Sequence, residues 1–367
     1  MKIGLLGYGT VGSAFYALAR ERADTQVKKL LVLERLPGPD CEQVTDFGQI
    51  ARDEEIDTVV ELIGGLHPAY EFVTEAMRRG KNVVTANKLL VSACYGELIA
   101  LAQKQGVALR CTAAAGGGIP WLRCLSRLAE TDAIDEVSGI MNGSTNFILS
   151  AMTQSGEDYN AVLLEAQRLG YCEADPTADV GGFDAQRKLV ISANIAFGVS
   201  LREAEVPCFG IDGITAKDIA YFKEKGLVCK LIAHAQKRGG AISACVEPML
   251  FPESAQMAHV GGPDNLIRLH AGRVGWQSFS GAGAGGFATA SNVLADCLEV
   301  KGGCPSFYTD RLDPAAVDNE TLTQRYYVRA VDTVREDAEM TVAAAHRLAA
   351  EYRAEKTPFF MAALSEE

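Results

Sequence analysis

The segment EADPTADVGGFDAQRK, from Glu173 to Lys188, sets Glu173, Asp175, Asp179 and Asp184 ahead of Arg187 and Lys188, broken by one proline and two glycines. Carboxylates crowded into a loop can hold a cationic group, and a lysine steered by acids can exchange a proton with a reacting oxygen. Asp184 and Lys188 are four positions apart, so a helix places them on one face. On an exposed helix such a pair is only a salt bridge worth roughly 0.3–0.5 kcal/mol. The following stretch, LVISANIAFG, is apolar nearly all round, which predicts that this helix and its first turn enter the interior. A second signature stands at the start of the chain, where Gly7-Tyr8-Gly9-Thr10-Val11-Gly12 fits G-x-G-x-x-G. It follows the strand-like run KIGLLG and opens a helical stretch, the context a dinucleotide site requires. Gly7 would make the tight turn, Gly9 would let the backbone approach a pyrophosphate, and Gly12 would let helix pack on strand. The phosphates would rest on the N–H groups at the helix start, Thr10 and Val11. Glu34, 22 residues past Gly12, can accept from ribose hydroxyls and repel a 2′-phosphate, which favours NAD over NADP. Arg35 beside it can turn to a phosphate instead, and a solvated charge pair at a strand end is the plain alternative.

The elements that must position these groups are legible as a change of texture. Over residues 1–130, KIGLLG, VKKLLVLE, DTVVELIG, KNVVTA and VALRCT alternate with helical stretches at 11–22, 68–79 and 88–105. That alternation predicts a Rossmann-type parallel sheet in an α/β domain. Residues 131–285 read as an α+β catalytic and dimerisation domain. It has a strand at AIDEVSGIM, helices at 144–155 and 158–169, the acidic loop, a helix from Asp184 and another near 215–225. LVCKLIAHAQ, AISACVEPML and GRVGWQSFS read as strands of a second sheet. SGAGAGGFATASNVLADCLEV is a glycine loop running into a helix, with residues 286–300 expected to pack back on the first domain. A short appendage at 305–367 carries a strand at RYYVRAVDT, a helix over 338–354 and a strand at PFFMAAL.

The totals exclude several classes. With 367 residues, 48% hydrophobic and 22% charged, the chain reads as a globular protein of two domains. A net charge of −12 with no basic tract argues against nucleic acid. No apolar run reaches membrane-spanning length, and MKIGLLGYG enters a strand at once, so neither a membrane span nor a secretory leader is expected. Ten cysteines without a C-x-x-C pair, most inside apolar runs, suit reduced thiols in the cytoplasm. The five histidines show no paired spacing and no metal-ligand cluster.

Four longer stretches occur in a telling order: VVELIGGLHPAYEFVTEAMRRGKNVVTANKLLV (59–91), AAAGGGIP (113–120), GIMNGSTNFILSAM (139–152) and LGYCEADPTADVGGFDAQRKL (169–189). Together they resemble homoserine dehydrogenase from the N-terminus to about residue 300. The resemblance implies an oxidoreductase that interconverts L-homoserine and L-aspartate 4-semialdehyde with NAD or NADP, in threonine and methionine biosynthesis. It also implies a homodimer or homotetramer. In such enzymes Lys188 would be the acid–base residue, Asp184 would bond the hydroxyl end of the substrate, and Glu173 would bind its ammonium. Asp179 would support the substrate site. Lys88, at the carboxyl edge of the sheet, would assist proton transfer beside the nicotinamide, and Thr85 would face the cofactor. Gly170 and the Gly281–Gly286 loop, Gly283 within it, would approach the cofactor, a simple flexible turn being the plain alternative for the loop. NGSTN, Asn142 to Asn146, would shape the cleft from a helix start, where Ser or Thr also serves as an ordinary cap.

Two departures from the family stand out. A monovalent cation, usually sodium, would be held by Thr112, Ala115, Gly117 and Ile119, but Thr112 stands where relatives carry a glutamate. The site thereby loses its only formal charge. Leu33 stands where an arginine often serves NADP, which again favours NAD. The tail resembles the start of a ligand-binding ACT domain, without the glycine turn after its first strand and about half a domain short. It is expected to lack an effector pocket, and its strand edges to seek a partner. Two rivals follow: a dehydrogenase for another amino-acid-related substrate, and a cofactor-binding relative without turnover, the latter suggested by Thr112 and the tail.

Overall fold

The computed structural model describes residues 1–304, 312–314 and 316–366; the opening of the expected tail, 305–311, lies outside the described residues. The chain divides into two compact units, Met1–Thr131 with Ala284–Asp313, and Asp132–Gly283 with Pro314–Glu367.

In the first unit the apolar runs become β1 (Lys2–Leu6), β2 (Gln26–Leu31), β4 (Thr58–Glu61), β5 (Asn82–Thr85) and β6 (Leu109–Arg110). A sixth strand, β3 (Glu42–Val44), joins the edge. Its three residues, Glu-Gln-Val, are too short and polar to show as a periodic run. All pairings are parallel in the order β3-β2-β1-β4-β5-β6. Because crossovers cover both faces, the central strands are mostly apolar: Ile3, Leu5, Val60 and Val84 are fully buried. They pack with Phe15 and Ala19 of the helix Thr10–Arg20 and with Val293 and Cys297 of the helix Gly286–Lys301. The two helices approach closely. A side chain at Gly286 would stand 3.0 Å from the Thr10 carbonyl oxygen.

The second unit is built on a mixed sheet of β7 (Ile134–Ile140), β8 (Leu227–Arg238), β9 (Ala241–Pro252), β10 (Asp264–Ala271), β11 (Gly275–Ala282), β12 (Thr323–Ala330), β13 (Thr333–Thr341) and β14 (Phe359–Leu364). Their order is β11-β10-β7-β8-β9-β14-β12-β13. β10 has no counterpart in the sequence reading, although its buried Ile267, Leu269 and Ala271 alternate with Arg268 and His270 as in a strand with one buried face. Both polar residues are answered locally: Arg268 donates to Ser138 at 3.0 Å and lies over the Trp276 ring at 4.3 Å, while His270 meets Asp135 at 2.6 Å.

The tail strands extend this same sheet. β14 lies between β9, parallel to it, and β12. Residues 338–341 are strand rather than the expected helix, because Thr341 caps the helix Val342–Ala354 by accepting from the Ala344 N–H at 3.1 Å. Cys245 and Glu247, two apart on β9, share one face. His346 crosses above it, its Nε2 3.0 Å from Glu247 Oε2. The three side chains bring ligand-type atoms within 4.8 Å of one another. No spacing revealed this group, since its members come from a strand and a helix 99 residues apart. All ten cysteines are free thiols. No helix among the described residues is long and apolar enough to cross a membrane.

Candidate active site

In the first unit the glycine fingerprint forms a tight cradle. Gly7 adopts φ +95°, a conformation side chains rarely take. A Cβ at Gly12 would fall 2.3 Å from the Gly7 carbonyl oxygen, so helix and turn can meet only as glycines. Gly9 differs: nothing lies within 4 Å of where its Cβ would be. No side chain caps the helix start, and the first intrahelical bond is donated by Ser13 to the Gly9 carbonyl. Among the described residues the N–H groups of Thr10, Val11 and Gly12 have no acceptor, and open space lies over Gly9. These features fit a pyrophosphate. Glu34 is exposed just beyond β2, which ends at Leu31 rather than reaching Glu34 as its apolar run suggested. Leu33 beside it is 99% exposed.

The carboxyl ends of β4 and β5 hold a network absent from the sequence reading. Glu61 is fully buried and accepts from the Ile63 and Gly64 N–H groups at 2.9 and 3.2 Å and from the Thr85 hydroxyl at 2.6 Å. Thr85, expected to face the cofactor, is itself fully buried, with its hydroxyl committed to Glu61. It also accepts from the Asn87 N–H at 2.9 Å. Asn87 caps the helix Lys88–Gln105 and donates to the Gly65 carbonyl at 2.6 Å, so Lys88 begins a helix anchored on three sides. A glutamate closing the apolar run TVVE was the available signal.

The expected cation ligands are all buried, Thr112 and Ala115 at 1% exposure and Ile119 at 4%. The carbonyls of Gly117 and Ile119 accept from Asn292 Nδ2 at 2.6 and 3.1 Å. The Thr112 N–H donates to Asp296 at 2.9 Å. Asp296 also meets Arg123 at 3.4 Å, and burial pushes its carboxyl up to about 6 against the pull of Thr112 and both arginines, Arg123 and Arg110.

In the second unit the acidic segment folds as its composition suggested, with a short helix Thr177–Val180 inside it. Gly182, at φ +85°, turns the chain into the helix Phe183–Phe197, and any side chain there would strike Cys208 Sγ at 2.7 Å. From the first two turns of that helix Asp184 and Lys188 point into the interior, at 4% and 8% exposure. Lys188 Nζ donates to Asp184 Oδ2 and to the Met141 carbonyl, both at 2.7 Å. The residue joining the cluster is Asn142. Its Nδ2 donates to Asp184 at 2.9 Å and Asp179 at 2.7 Å, while its Oδ1 accepts from the Thr145 N–H at 2.8 Å and caps the helix Gly143–Ser155. The cap of that helix is therefore Asn142, not Ser144 or Thr145. Cys172 contacts Asp179 at 3.5 Å, and burial raises its thiol to about 11, so it stays protonated.

The other expected residues have diverse settings. Glu173 is exposed, available to a ligand. Gly170, at φ +77°, closes the helix Tyr159–Arg168, and a Cβ there would have nothing within 4 Å. Gly283 packs within its own unit, where a side chain would overlap the buried Asn265 amide at 2.0 Å. Among these glycines only Gly9 and Gly170 have open space at the missing Cβ.

The sequence matches two family models, one described as homoserine dehydrogenase, NAD binding domain, over residues 7–112, and one as homoserine dehydrogenase over residues 120–298. Its relatives include the homoserine dehydrogenase of Corynebacterium glutamicum, 42% identical over 351 residues, covering 89% of this chain and 78% of the relative. That of Neisseria gonorrhoeae is 36% identical over 353 residues, covering 90% and 81%. The crystal structure of the Thiobacillus denitrificans homoserine dehydrogenase superposes with a TM-score of 0.91 at 32% identity, over 100% of this chain and 98% of that one. The chain belongs to the homoserine dehydrogenase family.

Proposed function

We propose that this chain interconverts L-homoserine and L-aspartate 4-semialdehyde with Lys188 as the acid–base residue. The observation that carries this role is the setting of the amine. It is buried, it is held by one carboxylate and one carbonyl, and an ammonium has three N–H groups. Among the described residues two are satisfied, so one remains to point at a substrate oxygen. In reduction Lys188 gives a proton to the forming alkoxide; in oxidation the neutral amine takes it back. Asp184, fixed by Lys188 and Asn142, orients the amine. Glu173 receives the substrate ammonium from the exposed side of the loop, and Asp179 restrains Asn142. A nicotinamide cofactor held on Gly7, Gly9, Thr10, Val11 and Gly12 supplies or accepts the hydride. Lys88, as the family resemblance implies, assists proton transfer beside the nicotinamide. The reading favours NAD through Glu34 and Leu33. It includes a place in threonine and methionine biosynthesis in the cytoplasm, and a homodimer or homotetramer.

The test is Lys188→Met with L-homoserine as substrate, measuring rates with NAD and NADP together with NAD affinity by fluorescence. Turnover should fall by roughly 10²–10⁴-fold, the usual contribution of a positioned acid–base group. NAD affinity should stay within a factor of about two, since the dinucleotide rests on the glycine loop. Near-normal turnover refutes the role.

A further inference from the structure

We infer that the side-chain amide of Asn292 replaces the monovalent cation of this family in the loop after β6, so that the loop is held without an ion. The inference does not rest on the role given to Lys188.

A monovalent cation site is several carbonyl dipoles converging on one point, commonly offset by a carboxylate. Here the carboxylate is absent, because position 112 is threonine. The convergence is present: the backbone at Gly116 and Gly117 takes φ values of +86° and +56°, and the Gly117 and Ile119 carbonyls meet at a single atom. That atom is Asn292 Nδ2, at 2.6 and 3.1 Å. Both partners are acceptors only, so the amide nitrogen rather than its oxygen must face them. The NH₂ group offers two donors to two carbonyls and supplies in fixed form the positive potential that an ion would bring.

The amide is built into the fold. Asn292 is 6% exposed on the helix Gly286–Lys301, and its neighbour Val293 is fully buried in the core of the unit. Asp296, one turn further along the helix, accepts the Thr112 N–H and is paired with Arg123, so this carboxylate already has partners. One helix thus ties the loop at both ends, by an acceptor at Thr112 and a donor at Gly117 and Ile119.

The test compares melting temperatures in sodium, potassium and tetramethylammonium chloride at equal ionic strength, with the sodium NMR line width as a second readout. The wild-type chain should melt at the same temperature in all three salts and leave the sodium line unbroadened beyond a non-binding control protein. Asn292→Ala takes this donor from the buried Gly117 carbonyl and leaves the Ile119 carbonyl with the Trp121 N–H, so it should melt several degrees lower and regain part of that loss in sodium but not in tetramethylammonium. A sodium-specific rise in the wild-type melting temperature, or specific broadening of the sodium line, overturns the inference. So does an Asn292→Ala variant that melts like wild type. If that variant fails to fold, the wild-type salt comparison decides alone.

Discussion

The amide of Asn142 is the sharpest place to perturb the acid–lysine cluster, because its two ends do separable work. Its oxygen caps a helix, a task aspartate performs equally well. Its nitrogen donates to two carboxylates, at 2.7 Å to Asp179 and 2.9 Å to Asp184. Hydrogen bonds to charged groups contribute roughly 1.5–3 kcal/mol each. Asn142→Asp keeps the cap, removes both donors and sets a third carboxylate within hydrogen-bonding distance of two others. The added carboxylate repels Asp179 and Asp184, only the latter being offset by the Lys188 ammonium, so the folded cluster binds a proton more readily than the unfolded chain. The folded state then binds more protons than the unfolded state, and stability must fall as pH rises. At about pH 8 the variant should lose about 3 kcal/mol or more, the lower bound for two charge-assisted bonds. Much of this should return near pH 4, where all three groups can be protonated. Asn142→Ala should instead lose both bonds and about 1 kcal/mol of capping with little dependence on pH. Denaturant unfolding at both pH values, with kcat/KM for L-homoserine measured alongside, separates the two variants. An Asn142→Asp variant matching wild type in stability and turnover at pH 8 would falsify the bridging geometry.

Three further outcomes follow from other parts of the molecule. Glu34→Ala should weaken NAD by roughly tenfold, the worth of one charge-assisted bond, while NADP affinity changes less; an unaltered preference ratio contradicts the ribose assignment. Burial lifts the Asp296 carboxyl to about 6, so the folded state holds a proton the unfolded state loses, and stability should decline between about pH 4 and 6 by an amount of order 3 kcal/mol. Asp296→Asn should flatten that decline in calorimetric melts, and an identical slope rules the buried carboxyl out as its source. His346→Ala removes one hydrogen-bond partner of Glu247, 1% exposed, leaving it the Tyr326, Gln324 and Cys245 contacts among the described residues, and should cost about 1–3 kcal/mol, as a lost buried partner does; a change under about 0.5 kcal/mol would show that the pair is not the clasp of the tail helix.

The elements carrying the site were legible in the sequence because their signals are local. A glycine loop between an apolar run and a helix, and an acidic loop ending in an apolar helix, are set by backbone conformation and by which faces must leave water. The same locality explains the misses. β3 is too short to show a period, and residues 338–341 lack a strand's apolar face because β13 is an edge.

Residue identity and spacing alone determined that the chain could bind a dinucleotide, and that Asp184 and Lys188 would share a buried helical face. Tertiary structure decided what holds them. Asn142 reaches Asp184 across 42 residues, Asn292 reaches Ile119 across 173, and His346 reaches Glu247 across 99. Short-range periodicity carries no information about such pairs. They are selected when packing brings buried donors and acceptors together, where an unmade hydrogen bond costs more than the made one contributes.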